Sequence, residues 1–238
     1  MQIHVRHRAL VVGMAVSALA VFGSGCATSR QMALTKETPA FAVGPEQSLA
    51  LLAVKLTNVY KTGYQPHLKN LRISALNEKG EEFAFDPGEP FRASEAENDQ
   101  YEEFLVSLAL APGKYSFSNL WIRASGGLVF GNGVVPINSS FEVPPGKAIY
   151  LGRIEVLRRE RQGDEPRAGS VIPLIDQAVT GFSGGTFDVK LFDGYDHDLA
   201  LMTAAFPALK PLKIEKQFLP PPRAKPPELL QPAAAPQQ

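Results

Sequence analysis

The sequence predicts a mainly β fold: an antiparallel β-sandwich with one short C-terminal helix. Three observations carry this. Apolar residues recur with period two, Pro- and Gly-bearing turns separate the alternating runs, and no helical periodicity intervenes between them. Short strands joined in this way bury their apolar faces by stacking two sheets.

Taken in order, the first strand is expected at Leu49–Val59. Two more follow at Leu71–Leu76 and Glu82–Phe85, joined by the turn Asn77-Glu78-Lys79-Gly80. In Tyr101–Leu110, Phe104, Val106, Leu108 and Leu110 share one face, strongly buried, and Glu103, Leu105, Ser107 and Ala109 share the other. In the next run Tyr115, Phe117, Asn119, Trp121 and Arg123 alternate with Ser116, Ser118, Leu120 and Ile122, which reads Trp121 as a core residue rather than a sugar-stacking one. Pro112-Gly113 between these runs suits a type II turn and predicts a hairpin. Pro144-Pro145-Gly146 repeats the device between Ser140–Val143 and Lys147–Leu157. A strand at Thr186–Phe192 and a helix over Asp196–Ala205 complete the set. The acidic residues from Asp193 to Asp198 cap the helix and Pro207 stops it.

Four segments follow. Residues 1–25 read as a signal peptide, 26–45 as a flexible tether, 46–206 as the folded domain and 207–238 as a disordered Pro-rich tail. The signal reading rests on Arg6 and Arg8, an apolar run from Ala9 to Phe22, the small residues Gly23-Ser24-Gly25, and then Cys26, the chain's single cysteine. That run is too short for a permanent span, which needs about 20 apolar residues.

Loss of residues 1–25 would leave 22 basic against 24 acidic residues, a balance that argues against a nucleic-acid partner. Arg158, Arg159, Arg161 and Arg167 cluster, but with Glu155, Glu160, Asp164 and Glu165 among them they read as a solvated hairpin end.

Candidate chemistry is sparse. Gly181-Phe182-Ser183-Gly184-Gly185 is a literal G-x-S-x-G, and Asp188 or Asp193 followed by His197 completes the chain order of an α/β-hydrolase triad. That mechanism needs Ser183 on a strand-to-helix turn, whereas Thr186–Phe192 alternates as a strand. A hydrolase using Ser183 and His197 is therefore the alternative reading, and no catalytic residue is assigned. Asp193-Gly194-Tyr195-Asp196-His197-Asp198 lacks the spacing of a calcium loop and has too few nitrogen or sulfur ligands for zinc, so no metal or cofactor is expected. Glu102 and Glu103, adjacent on a strand, point to opposite faces and make a poor acid/base pair. Gly126-Gly127 and Gly131-Asn132-Gly133 read as turns in an exposed excursion.

The segment ending Gly25-Cys26 resembles the lipobox of bacterial lipoproteins, with Gly23 where that family usually carries Leu. The resemblance implies diacylglycerol on the Cys26 thiol. Ala27 next to it implies sorting to the outer membrane, facing the periplasm. Phe141–Val156, with its Pro-Pro-Gly turn and Tyr150-Leu151-Gly152 strand, resembles uncharacterised bacterial lipoproteins with a transthyretin-like or carboxypeptidase-regulatory-like sandwich. No activity comes with that likeness. The sequence thus points to a lipid-anchored, non-enzymatic binding or envelope-assembly module, its partners the membrane through Cys26 and envelope proteins or the cell wall.

Overall fold

Two sheets face each other across a single apolar layer, and part of the outer face of one of them is buried as well. The structure is a computed structural model and describes residues 27–221, apart from 97–98, 127 and 172–176. The strands are β1 (Thr28–Gln31), β2 (Ser48–Asn58), β3 (Pro66–Ala75), β4 (Glu82–Asp86), β5 (Arg92–Ala96), β6 (Asp99–Leu110), β7 (Gly113–Gly126), β8 (Val129–Val143), β9 (Ala148–Glu160), β10 (Gly185–Phe192) and β11 (Ile214–Lys216). Helix α1 (Tyr195–Ala205) leads into a single 3₁₀ turn at Pro207–Leu209.

One sheet has the order β1-β4-β3-β7-β8. The other runs β10-β9-β2-β6-β5, with β11 beside β9. The sheets are mixed rather than purely antiparallel, because β1 on β4, β2 on β9 and β11 on β9 run parallel.

Strand β2 shows why a second layer is needed. Ala50, Leu52, Val54 and Leu56 enter the core between the sheets, whereas Leu49, Leu51 and Ala53 enter a second cluster on the opposite face. A strand flanked on both sides reads as a continuous apolar run because neither face meets water. Met202, Ala205 and Phe206 from the end of α1, Leu209 after it, and Leu34 from the N-terminal segment cover that outer face.

Several expectations are corrected here. Pro112-Gly113 and Pro144-Pro145-Gly146 do not close hairpins. Strand β6 lies in one sheet and β7 in the other, and β8 and β9 are divided in the same way, so both corners are arches across the sandwich. A proline corner fits either geometry, and only the sheet partners decide between them. The tether is docked: β1 pairs with β4, the Ala33 amide donates to the Ser107 carbonyl at 2.8 Å, and Leu34 is buried. Nor is the chain after Pro207 free, since β11 pairs with β9 and Leu219 is buried. Gly131 and Gly133 lie inside β8, where a Cβ on Gly133 would fall 2.5 Å from the Phe182 ring. The Asn77–Gly80 turn does join β3 to β4.

Two bulges set which side chains reach which face. In β9, Leu51 pairs with Tyr150 but Ala53 with Arg153, so an extra residue sits at Gly152, whose φ of +113° an L side chain rarely adopts. Leu151 and Ile154, three apart, therefore both enter the core, and Arg153 turns outward beneath α1. In β7, Phe117 pairs with Ile73 but Asn119 with Arg72, which makes Ser118 the extra residue. Phe117 and Leu120 then both face inward, and Trp121 is rotated out of the core to 37% exposure.

Candidate functional site

The G-x-S-x-G segment serves packing. Strand β10 begins at Gly185, two residues after Ser183, and Ser183 itself is buried, its carbonyl accepting a bond from Arg167. Phe182 fills the end of the sandwich over Gly131 and Gly133, and its ring meets Phe187 and the Arg158 guanidinium, 4.7 Å away. Ser183 precedes β10 and His197 follows it, so the strand's own length of about 23 Å holds them apart. The acidic partners are committed elsewhere: Asp188 accepts from Arg159 at 2.7 Å and Asp193 from Lys216 at 3.1 Å. Among the described residues, Ser183, His197 and the two aspartates are not brought together as a triad.

Of the helix-capping carboxylates, Asp193 accepts from the Tyr195 amide at 2.9 Å, while the cap residue Gly194 has no side chain to offer. Asp198 points the other way. It is buried beneath α1, where Arg153 Nη1 donates to its Oδ1 at 2.6 Å and the Tyr150 hydroxyl to its Oδ2 at 2.5 Å. Arg153 Nη2 also donates to Glu103 Oε1 at 2.6 Å, and Arg92 reaches the other oxygen of Glu103. Burial, joined by the Asp198 carboxylate, pushes the Tyr150 phenol far above its ordinary range. Burial also opposes the Arg153 charge, but its bonds to Glu103 and Asp198 outweigh that and raise its pKa.

Glu103, exposed His197 and Asp198 do offer ligand atoms within 4.8 Å of one another. The Arg153 guanidinium already bonds to both carboxylates, however, and a divalent ion there would meet that fixed positive charge. The geometry is that of a structural clamp between sheet and helix. Glu102, on the opposite face of β6, meets His67 at 3.0 Å, as the strand geometry requires of adjacent carboxylates.

Arg158 is not solvated. It is fully buried, bonded to Asn58 Oδ1 at 3.1 Å and to the Tyr64 carbonyl, and burial without a carboxylate lowers its pKa to about 10. Arg159 remains at the surface with Glu165 and Asp188.

The outer face of the five-stranded sheet carries a different arrangement. The pleat turns Asn70 and Arg72 of β3, Asn119, Trp121 and Arg123 of β7, and Asn132, Val134 and Pro136 of β8 away from the core. Register places Asn70, Trp121 and Val134 in one row, with Arg72, Asn119 and Pro136 in the next. The Arg72 guanidinium lies 5.3 Å from the Trp121 ring and donates to Glu82 at 3.1 Å. Arg123 lies 4.5 Å over Phe130. Among the described residues six buried side-chain atoms lack a hydrogen-bond partner, and four are here: Asn70 Oδ1, Arg72 Nε, Asn119 Oδ1 and Arg123 Nε. Unpaired polar atoms are costly in a folded protein, and four of these six cluster around one exposed indole.

A cleft of about 530 Å³ between residues 31–37 and 86–91 is the competing concavity. Met32, Leu34, Phe91 and Phe206 line it, but none of the unpaired atoms lies there to select a ligand.

Sequence reading missed the Arg153 clamp and the Trp121 face, each for want of a bulge. Gly152 inside an apolar strand was a usable signal for the first. For the second the sign was Arg123, which shares its alternation phase with Trp121 and has no place in a core.

No protein-family model, curated relative or solved structure matches the chain. Cys26 and residues 1–25 lie outside the described residues, as do residues 222–238 of the Pro-rich tail. Among the described residues no helix is long and apolar enough to cross a membrane.

Proposed function

We propose that the chain is a lipid-anchored, non-enzymatic β-sandwich of the bacterial outer membrane, facing the periplasm, and that it binds an envelope component through the Trp121 face. Lipid on Cys26 supplies the membrane attachment, and the partner is an envelope protein or cell-wall component rather than nucleic acid. The observation that carries the binding reading is the exposed indole of Trp121 amid the unpaired atoms of Asn70, Arg72, Asn119 and Arg123. Aromatic and arginine side chains at a partly desolvated surface are the usual energetic centre of an interface.

Two further observations support the orientation. Strand β1 starts at Thr28, two residues after Cys26, so an anchor there would hold the domain close to the bilayer. Thr28 pairs with Phe83 and Ser74 pairs with both Glu82 and Ser116, which puts the start of β1 at the Ser116 end of β7. The apolar tip at Leu128 therefore stands roughly 30 Å away at the other end, out of reach of the same membrane surface.

The anchor is tested by replacing Cys26 with Ala, which should abolish fatty-acid labelling and release the protein from membranes. Retained labelling contradicts it. The face is tested by Trp121→Ala with Arg123→Gln, which should leave a folded protein that no longer co-sediments with delipidated envelope fragments.

A further inference from the structure

The geometry points to a glycan bearing carboxylate groups as the ligand of the Trp121 face, an inference that rests on that face being the working surface. Trp121 lies on β7, whose two edges are consumed by β3 and β8. The β7 backbone has no free ladder to offer, so recognition at Trp121 itself comes from side chains, beside the outer edge of the terminal strand β8. An indole presents a flat, electron-rich surface that suits the polarised C–H face of a pyranose ring.

Asn70 lies directly across from Trp121 on β3, and Asn119 is two residues away on the same strand face. Each primary amide offers both donors and an acceptor, which matches sugar hydroxyls that are themselves donors and acceptors. Their unpaired Oδ1 atoms are the acceptors such hydroxyls would engage once the side chains turn toward a ligand.

Charge then separates acidic from neutral sugars. Arg72 is neutralised by Glu82, but among the described residues Arg123 has no carboxylate within ion-pair distance. Phe130 lies 4.5 Å from its guanidinium, and Arg123 is half-buried rather than enclosed. The planar guanidinium fork binds a carboxylate through two parallel N–H···O bonds. Arg123 lies two residues from Trp121 along β7, about 6.6 Å, so one uronic-acid residue spans both. An acidic peptide would also satisfy Arg123, and its backbone amides would meet the two asparagines, but it lacks the flat C–H ring face that an indole stacks on.

The experiment uses the full chain purified in detergent. Trp121 is its single tryptophan, so intrinsic fluorescence reports this face directly. Oligogalacturonate, its methyl ester, neutral maltohexaose and polyglutamate are titrated in parallel, with calorimetry for the variants. We expect saturable binding of oligogalacturonate. The methyl ester and the Arg123→Gln variant should each bind at least tenfold more weakly, and Trp121→Phe should retain part of the affinity, all with unchanged circular dichroism. Equal binding of the methyl ester or maltohexaose, no loss in Arg123→Gln, preference for polyglutamate, or no binding at all overturns the assignment. Polyglutamate binding would refute the glycan while leaving the face intact. The face itself fails if envelope fragments also bind the Trp121→Ala, Arg123→Gln double variant as well as they bind the unaltered chain.

Discussion

Arg153 Nη1 donates to Asp198 Oδ1 at 2.6 Å, and this bond joins the centre of the six-stranded sheet to the helix that covers it. It exists because the Gly152 bulge turns Arg153 outward. Replacing Arg153 with Met leaves Glu103 and Asp198 buried without that cation, although Arg92 still reaches Glu103. We expect a loss of about 3–5 kcal/mol in urea unfolding, since stranding a buried charge costs more than the pair contributes. Asp198→Asn, which keeps a polar partner for Tyr150, should lose less, about 1–3 kcal/mol.

Gly133 faces the Phe182 ring at a distance no side chain tolerates. Gly133→Ala should destabilise by about 1–3 kcal/mol through overpacking. Phe182→Ala in the same chain removes the ring but not the Ala168 carbonyl 2.8 Å from the new methyl, so the double variant should lose less than the sum of the two single losses without full relief. Chemical denaturation of the three variants checks this.

The Glu165 carboxylate accepts from Arg159 and from the Gln162 amide, and these bonds lower its pKa from 4.5 to about 2. Because the folded value is depressed, the 162–165 turn is stabilised above the unfolded value and loses that support as pH falls through about 2. The Gln162 amide resonance should therefore titrate with a midpoint near 2. A midpoint near 4.5 would show that the pair is not formed in solution.

The length of β10 separates Ser183 from His197, so a fluorophosphonate probe should leave the protein unlabelled. Labelling that disappears in Ser183→Ala would restore the hydrolase reading.

Much of the fold was legible because apolar residues mark its central strands, as a continuous run in β2 and as alternation in β6 and β10, and these strands and α1 lie within a few residues of their expected positions. Arches and hairpins were not distinguishable at Pro112 or Pro144, since a corner reports local dihedral angles and not which sheet receives the next strand. Burial of Glu103 was hidden for a similar reason. A strand that looks half-polar can still be covered when a distant helix brings the compensating charge. The docked segments at residues 28–34 and 214–219 lack apolar periodicity and are held by pairing to strands far away in the chain. Trp121 was misplaced by one residue of phase, because Ser118 itself does not announce the bulge and only Arg123, two residues beyond Trp121, shows that this face is not a core face.

The most direct test of the central claim is site-specific photo-crosslinking in living cells. A benzoylphenylalanine at Val134, beside Trp121 in the register row, is compared with one at exposed Lys190 of β10. A discrete envelope adduct is expected from position 134, vanishing in Arg123→Gln and absent from position 190. Adducts from position 190 alone, or equal adducts from both positions, would contradict the assignment of the Trp121 face as the binding surface.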